Sequence, residues 1–205
     1  MEKKAVFDFD KTLVTINTFP LWIVFVIAYS VYNIDFKSSF VRLLWKRKVM
    51  KSITHDQFKK ELLKIDLHQN YHRVFSKILI NFRNKNCEKR LIQLIDSGYM
   101  IAVSSAAPEH YLRETINRLF PNKRLVIIGA NCIENCFSGN YKEGKVTNLI
   151  RNRFISDTEE IEYLYTDSFD DYALSLRAKK LILVSPDKKS YQKFRELYIN
   201  EIEII

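Results

Sequence analysis

Acidic side chains follow short apolar runs at two widely separated places in this chain. Asp8 and Asp10 lie at the end of the run 5–9, and Asp167 follows the run 162–166. A carboxylate beside a buried strand costs free energy unless it binds something. Clustered carboxylate oxygens are typical ligands of Mg²⁺, a hard cation that commonly works with phosphate. Further polar residues that follow apolar runs or open helices are Thr12, Ser104, Ser105, Lys145 and Asp171.

The elements that must position these residues are predicted to alternate between strands and helices. Apolar runs bounded by turn residues, which are typical of strands covered on both faces, lie at 5–9, 100–104, 125–129, 162–166 and 180–185. Helical patterns lie at 87–97, 108–119 and 187–198. The alternation predicts a doubly wound, Rossmann-like α/β core with a mostly parallel sheet. Since the carboxyl ends of such strands converge on one crevice, the polar residues should meet there.

Residues 15–85 interrupt this alternation with helical patterns alone. Thr54 and Gln57 have the spacing of a capping box, and apolar residues follow them at helical spacing. We therefore predict an all-helical cap domain at 15–85, inserted into a catalytic core made of residues 1–14 and 86–205.

The order of the polar residues resembles the four motifs of the haloacid dehalogenase superfamily. The matches are Asp8-Phe9-Asp10-Lys11-Thr12, Ser104 after an apolar strand, Lys145 at the start of a helix, and Asp167-Ser168-Phe169-Asp170-Asp171. The spacing fits as well, with 96 residues from Asp8 to Ser104, 41 more to Lys145 and 22 more to Asp167. The inserted helices resemble the cap of the phosphoserine-phosphatase-like branch. One departure is Lys11, which occupies a position where glycine is common and whose role the sequence leaves open.

This resemblance implies a phosphatase mechanism with two aspartates in different roles. Asp8 would attack phosphorus and form an aspartyl-phosphate, and Asp10 would protonate the leaving oxygen and then deprotonate water. Mg²⁺ would bind the Asp8 carboxylate, the backbone carbonyl of Asp10 and the Asp167 carboxylate, with Asp171 orienting ligands or water. Its charge would offset the repulsion between a carboxylate and a phosphate dianion.

The resemblance also implies a set of phosphate-binding residues. Ser104, a backbone N–H near Ser105 and Lys145 would hold the non-bridging oxygens, and Thr12 would help to fix the loop. Lys142 competes with Lys145 for the third motif, and Lys145, which directly follows Gly144, is the preferred match.

Two neighbouring segments raise the question of membrane contact. Residues 19–34 carry no charge, but a 16-residue helix would reach only about 24 Å, less than the roughly 30 Å hydrocarbon core. The stretch is either a buried cap helix or a membrane-contacting helix. Residues 37–51 contain six basic residues and no acid. They form either a basic amphipathic helix suited to anionic membranes or a helix with a merely solvated basic face.

Composition limits the remaining classes of function. The 205 residues carry a formal net charge of +9, with 47% hydrophobic residues, which excludes collagen-like and mainly disordered chains. Three cysteines are too few for a disulfide framework, and the first residues do not resemble a signal peptide. We therefore expect a cytoplasmic protein, with attachment to the inner face of the membrane as the alternative.

The expected activity is hydrolysis of a small phosphorylated metabolite. One alternative is a phosphatidylglycerophosphate-type lipid-phosphate phosphatase in peripheral contact with an anionic membrane. A second is a non-catalytic basic module that binds polyanions, although no nucleic-acid-binding motif is present and no specific nucleic acid is expected. The sequence determines neither the substrate nor the oligomeric state.

Overall fold

The apolar runs form one seven-stranded sheet in the computed structural model, which describes residues 2–33, 38–65, 67–133, 136–197 and 201–205. The strands are β1 (Lys4–Phe7), β2 (Met100–Pro108), β3 (Val126–Ile133), β4 (Cys136–Ser138), β5 (Ile161–Thr166), β6 (Ala178–Leu183) and β7 (Glu201–Ile204). Their order is β4-β3-β2-β1-β5-β6-β7, and every pairing is parallel except that of β3 with β4. The five predicted strands are confirmed, whereas β4 and β7 were not predicted.

Helices cover the sheet and fill the insertion between β1 and β2. The inserted helices are α1 (Thr18–Tyr32), α2 (Ser38–Lys48), α3 (His55–Leu63) and α4 (Gln69–Leu79). The others are α5 (Lys85–Asp96), α6 (Glu109–Leu119), α7 (Glu143–Arg151), α8 (Tyr172–Ser175) and α9 (Lys188–Leu197), with 3₁₀ turns at Ile80–Phe82 and Phe169–Asp171. Parts of three predicted helices, at residues 34, 37 and 198, lie outside the described residues.

The capping box predicted for α3 is present. Thr54 Oγ1 accepts a hydrogen bond from the Gln57 amide at 3.2 Å, and the Thr54 amide donates to Gln57 Oε1 at 2.8 Å. The pair satisfies two backbone donors that the first turn of a helix otherwise leaves without partners. The sequence therefore located the start of this helix correctly.

The central strand β1 alternates its side chains between two buried layers. Ala5 and Phe7 pack with residues of α5 and α6, whereas Val6 packs with residues of α7 and α9. This period of two, with helices on both faces, confirms the doubly wound arrangement. Phe7 also stacks on Tyr165 of β5, with ring centroids 4.1 Å apart.

The inserted helices pack on the same face of the sheet as α6. The ring of Tyr111 on α6 lies 5.7 Å from that of Trp22 on α1 and 5.0 Å from that of Phe75 on α4. Arg118 Nε of α6 donates to Ser76 Oγ of α4 at 2.8 Å. Aromatic packing thus anchors the insertion to the sheet. Among the described residues, no helix combines the length and the apolar character needed to cross a membrane.

Gly129 of β3 lies where the sheet packs closely against the first residue of α6. A Cβ at this position would lie 2.5 Å from Glu109 Cα, so we expect Gly129→Ala to lower the free energy of unfolding by about 1–3 kcal/mol. The control is Gly144→Ala in α7, where no atom lies within 4 Å of the new methyl group and stability should hold or rise by up to about 1 kcal/mol. Urea denaturation followed by circular dichroism measures both. Equal effects of the two substitutions would contradict the predicted close contact.

Candidate functional site

Two carboxylates and one lysine form a buried cluster at the carboxyl edge of β1 and β5. Asp8 directly follows β1, Asp171 ends the 3₁₀ turn after β5, and Lys145 lies in the first turn of α7. Lys145 Nζ lies 2.7 Å from Asp8 Oδ1 and 2.7 Å from Asp171 Oδ1. Thr166 Oγ1 donates to Asp171 Oδ2 at 2.7 Å. The three charged residues are each at most 7% exposed, so they compensate each other's charge with little help from water.

Burial and mutual charge set the protonation of this cluster. Burial raises the pKa of Asp8, Lys145 opposes that rise, and the carboxylates of Asp171 and Asp167 add to it. Burial alone lowers the pKa of Lys145, but Asp171 and Asp8 together raise it well above its usual value. Lys145 is therefore a permanently charged ammonium that offsets the repulsion between its two acidic neighbours.

Asp10 lies in the loop after β1, and its contact with the first residue of α1 joins the strand end to the inserted helices. Its Oδ1 accepts from Thr18 Oγ1 at 2.7 Å and from the Thr18 amide at 3.2 Å. The Tyr111 hydroxyl lies 2.8 Å from Thr18 Oγ1 and extends the chain of contacts to α6. Burial raises the pKa of Asp10, whereas the hydrogen bonds from Thr18 lower it. These contacts hold one oxygen of Asp10 and leave the carboxyl group beside an open cleft.

Asp167 lies next to Lys11, with 4.0 Å between Asp167 Oδ2 and Lys11 Nζ. Burial raises the pKa of Asp167 to about 6, Lys11 opposes the shift and Asp171 adds to it. Lys11 itself has a φ of 56°, in the left-handed region that favours glycine. Lys11 therefore has a backbone conformation typical of glycine and places a positive charge near Asp167.

Ser104 and Ser105 are buried in the second half of β2 and are held by Asn140, a residue that the sequence reasoning missed. Asn140 Nδ2 lies 3.2 Å from Ser104 Oγ, 2.8 Å from the Ser105 carbonyl oxygen and 2.9 Å from the Ile128 carbonyl oxygen. Asn148 Nδ2 donates to Asn140 Oδ1 at 3.1 Å. Asn140 has a φ of 45°, which asparagine tolerates better than most residues. The only sequence feature that could have pointed to Asn140 is its position three residues before the start of α7.

Thr12 and Lys142, two further candidates from the sequence, lie outside the charged cluster. Thr12 is fully buried, and its Oγ1 has no hydrogen-bond partner in the part of the chain that the structure describes. Lys142 Nζ lies over the ring of Tyr141, 5.2 Å from its centroid. Of the two competing lysines, the structure thus brings Lys145 and not Lys142 to Asp8.

A cleft of about 440 Å³ opens beside Asp10. Phe19 of α1, Lys59 of α3, Ala106 of β2 and Tyr141 also line it, so both the inserted helices and the strand ends contribute. A larger cavity of about 760 Å³ is lined by other residues of the insertion and α6, and none of the site carboxylates contributes to it. The smaller cleft is therefore the one next to the reactive groups.

The described residues contain no group of three or more His, Cys, Asp or Glu side chains arranged to hold a metal ion. Two carboxylates, those of Asp8 and Asp167, nevertheless repel each other and both have raised pKa values. A cation bound by this pair would remove the repulsion, and oxygen ligands favour a hard cation such as Mg²⁺ over zinc. Any further ligands would have to be backbone carbonyls, water or substrate oxygens.

The buried cluster predicts a large effect of removing its lysine. We expect Lys145→Met to lower the free energy of unfolding by about 3–5 kcal/mol, because two buried carboxylates lose their counterion. Adding Asp8→Asn should restore part of that loss. Urea denaturation in metal-free buffer measures each variant, with Lys142→Met as the control.

The pH dependence of this loss has a definite sign. Carboxylates without the lysine have raised pKa values in the folded state, so the folded protein binds more protons than the unfolded one. The stability of Lys145→Met should therefore fall further below that of the wild type as the pH rises from 5 to 8. The ion cluster would be contradicted if Lys145→Met were as stable as the wild type. It would also be contradicted if adding Asp8→Asn to Lys145→Met restored none of the lost stability.

The whole chain is similar to solved structures of low sequence identity. A protein of unknown function from Bordetella pertussis Tohama I has a TM-score of 0.70 at 17% identity, with 99% of this chain and 98% of that chain covered. A phosphoserine phosphohydrolase-like protein from Francisella tularensis subsp. tularensis SCHU S4 has a TM-score of 0.61 at 16% identity, with coverage of 99% and 94%. A phospho-aspartyl intermediate analogue of phosphoserine phosphatase has a TM-score of 0.58 at 19% identity, with coverage of 100% and 94%.

No protein-family model and no curated protein matches the sequence. The structural similarity extends over nearly all of each chain, so it includes the inserted helices as well as the sheet. The chain has the same fold as the phosphoserine phosphatase and the phosphoserine phosphohydrolase-like protein to which it is similar.

Proposed function

We propose that this protein is a Mg²⁺-dependent phosphomonoester hydrolase that acts on a small phosphorylated metabolite through an aspartyl-phosphate. The observation that carries the proposal is the position of Asp8, buried at the end of β1 with Lys145 Nζ at 2.7 Å and Asp10 two residues further along. A nucleophile, a cation and a proton donor are then within one small site. The proposal includes a core of residues 1–14 and 86–205 with a helical cap at 15–85.

In the first step, an Asp8 oxygen attacks phosphorus and the bond to the leaving oxygen breaks. Asp10 gives its proton to that oxygen, so the product leaves as an alcohol. In the second step, Asp10 takes a proton from water, the water oxygen attacks phosphorus, and inorganic phosphate leaves with the Asp8 carboxylate restored. The raised pKa of Asp10 supports this role because it makes the protonated form available nearer neutral pH.

The surrounding residues hold the phosphoryl group and its charge. Lys145 and Ser104 would contact its non-bridging oxygens, together with a backbone N–H near Ser105, and Asn140 holds both serines in place. We assign Asp171 the positioning of Lys145, which its carboxylate contacts directly. Buried Thr12 would help to fix the loop after β1.

Mg²⁺ would be held by the Asp8 and Asp167 carboxylates and the backbone carbonyl of Asp10, with Asp171 beside them. When bound, the ion offsets the repulsion between carboxylate and phosphate and draws charge from the phosphoryl oxygens. We place the enzyme in the cytoplasm, a location that the three free cysteines support.

Replacing the nucleophile tests the proposal directly. We expect Asp8→Asn to lower Mg²⁺-dependent hydrolysis of p-nitrophenyl phosphate at least about 1,000-fold, because an amide cannot form the covalent intermediate. Asp157→Asn, in an exposed turn, is the control and should keep wild-type activity. Equal rates for Asp8→Asn and the wild type would overturn the role of Asp8. No hydrolysis by the wild type on any phosphomonoester would instead favour the non-catalytic polyanion-binding alternative.

A second candidate function is hydrolysis of a lipid phosphate at an anionic membrane. Val24, Ile27 and Val31 form an exposed apolar stripe along α1, and Val41 and Trp45 are exposed on α2. The sequence around Trp45 is strongly basic, with Arg42, Lys46, Arg47 and Lys48. Apolar side chains beside basic ones suit the interface of an anionic bilayer.

Vesicle binding decides whether this surface contacts lipid. We expect the protein to co-sediment with vesicles of phosphatidylcholine and phosphatidylglycerol but not with phosphatidylcholine alone, and the double variant Lys46→Glu/Lys48→Glu to weaken binding at least about tenfold. Lys188→Glu/Lys189→Glu in α9 has the same net charge change and should weaken it much less. Absence of binding at moderate salt, or equal effects of the two double variants, would eliminate the lipid candidate.

A further inference from the structure

Asn140 is a buried amide that connects two parts of the proposed phosphate-binding site. It is 1% exposed and lies in the loop before α7. Its Oδ1 accepts a hydrogen bond from Nδ2 of Asn148, which lies on α7 one turn after Lys145. Its own Nδ2 lies 3.2 Å from Oγ of Ser104 on β2. One side chain thus joins the strand that carries Ser104 to the helix that carries Lys145.

The contact with Asn140 determines where the hydroxyl proton of Ser104 can point. The amide nitrogen of Asn140 also lies 2.8 Å from the carbonyl oxygen of Ser105 and 2.9 Å from that of Ile128. Carbonyl oxygens only accept hydrogen bonds, so these two neighbours identify the nitrogen end of the amide. An amide nitrogen donates and does not accept, so Ser104 Oγ is the acceptor in its contact with Asn140. The hydroxyl proton of Ser104 therefore points away from Asn140.

This proton has no acceptor among the residues that the structure describes. Within that part of the chain, Ser104 is fully buried and its Oγ forms one hydrogen bond, in which it accepts. A buried donor without a partner is costly unless a ligand supplies an acceptor. Ser104 follows Val103, which pairs with Phe7 of β1 in the parallel register, so it leaves its strand at the same level as Asp8. The proton is therefore available to an oxygen of a phosphoryl group bound at Asp8.

We infer that Asn140 is a positioning residue for phosphoryl transfer, which keeps the Ser104 hydroxyl as a hydrogen-bond donor to a non-bridging phosphoryl oxygen. Through Asn148 it also sets the place of that hydroxyl relative to Lys145. The inference rests on the proposed function, because it assumes that the phosphoryl group lies between Asp8, Ser104 and Lys145. Asn140 belongs to none of the four motifs, and it acts through Ser104 without touching a reacting atom.

The two carbonyl contacts of Asn140 explain why the hydroxyl needs this support. The carbonyl oxygens of Ser105 and Ile128 lie within 3 Å of the Asn140 nitrogen, which donates to both. Without the amide, both oxygens would lose a donor and would compete for the proton of Ser104. A hydroxyl that donates to a backbone carbonyl cannot donate the same proton to the phosphoryl group. Asn140 thus removes the competing acceptors and directs the proton to the site.

A double-mutant cycle tests whether Asn140 acts through Ser104. We expect Asn140→Gly, which suits the φ of 45° at this position, to lower kcat/KM for p-nitrophenyl phosphate about tenfold to fiftyfold. In a Ser104→Ala background the same substitution should lower kcat/KM less than about threefold, because no hydroxyl is left to orient. Asn117→Ala, which removes an exposed amide on α6, is the control and should match the wild type.

Binding measurements give a readout that does not depend on turnover. Calorimetry with inorganic phosphate in the presence of Mg²⁺ should show at least about fivefold weaker binding to Asn140→Gly than to the wild type. Mg²⁺ binding without phosphate should be unchanged, whereas a general loosening of the site would weaken both. Urea denaturation shows whether Asn140→Gly is folded. If it is not, Asn148→Ala decides, with a loss of about threefold in phosphate affinity that disappears when Ser104→Ala is added.

Equal losses with and without the Ser104 hydroxyl, or wild-type activity and phosphate binding of Asn140→Gly, would overturn the inference. A loss of phosphate binding that depends on Ser104, without any hydrolysis by the wild type, would overturn the proposed function and leave the role of Asn140 standing. Hydrolysis by the wild type with equal losses in both backgrounds would do the reverse.

Discussion

The buried contact of Lys145 with Asp8 and Asp171 is the interaction on which the arrangement of the site depends. Three charges at this depth are stable only together, because each would be costly alone. The contact joins the end of β1, the first turn of α7 and the turn after β5. Packing of the sheet therefore brings Asp8, the candidate nucleophile, to its counterion. Lys145 lies between Asp8 and Asp171, where its charge neutralises theirs.

A second chain of contacts determines where the inserted helices lie. Asp10 accepts two hydrogen bonds from Thr18 at the start of α1, and Thr18 contacts Tyr111 of α6. Phe75 of α4 packs on the same tyrosine ring. These hydrogen bonds and one aromatic cluster thus hold the insertion against the sheet, and the cleft beside Asp10 is the space that this packing leaves open.

The strands could be predicted where burial on both faces produced a continuous apolar run. β1, β2, β3, β5 and β6 are of this kind, and each was found within a few residues of its observed bounds. β7 reads EIEI and lies at the edge of the sheet, where Lys180 of β6 pairs with Glu201 and Glu203. Because glutamates alternate with isoleucines, β7 contains no continuous apolar run from which a strand could be predicted. β4 has only three residues, paired antiparallel with β3, which is too short for a periodic pattern.

The sequence by itself determined the polar residues at the strand ends, their order and the doubly wound core, because hydrophobic periodicity and residue type are local properties. It favoured Lys145 over Lys142 without showing that Lys145 contacts Asp8, and it did not show that Asn140 holds the serines of β2. Those outcomes depend on which side chains the packed sheet brings within hydrogen-bond distance. The same holds for Lys59, whose burial beside Asp10 arises only when α3 folds over the ends of strands far away in the chain.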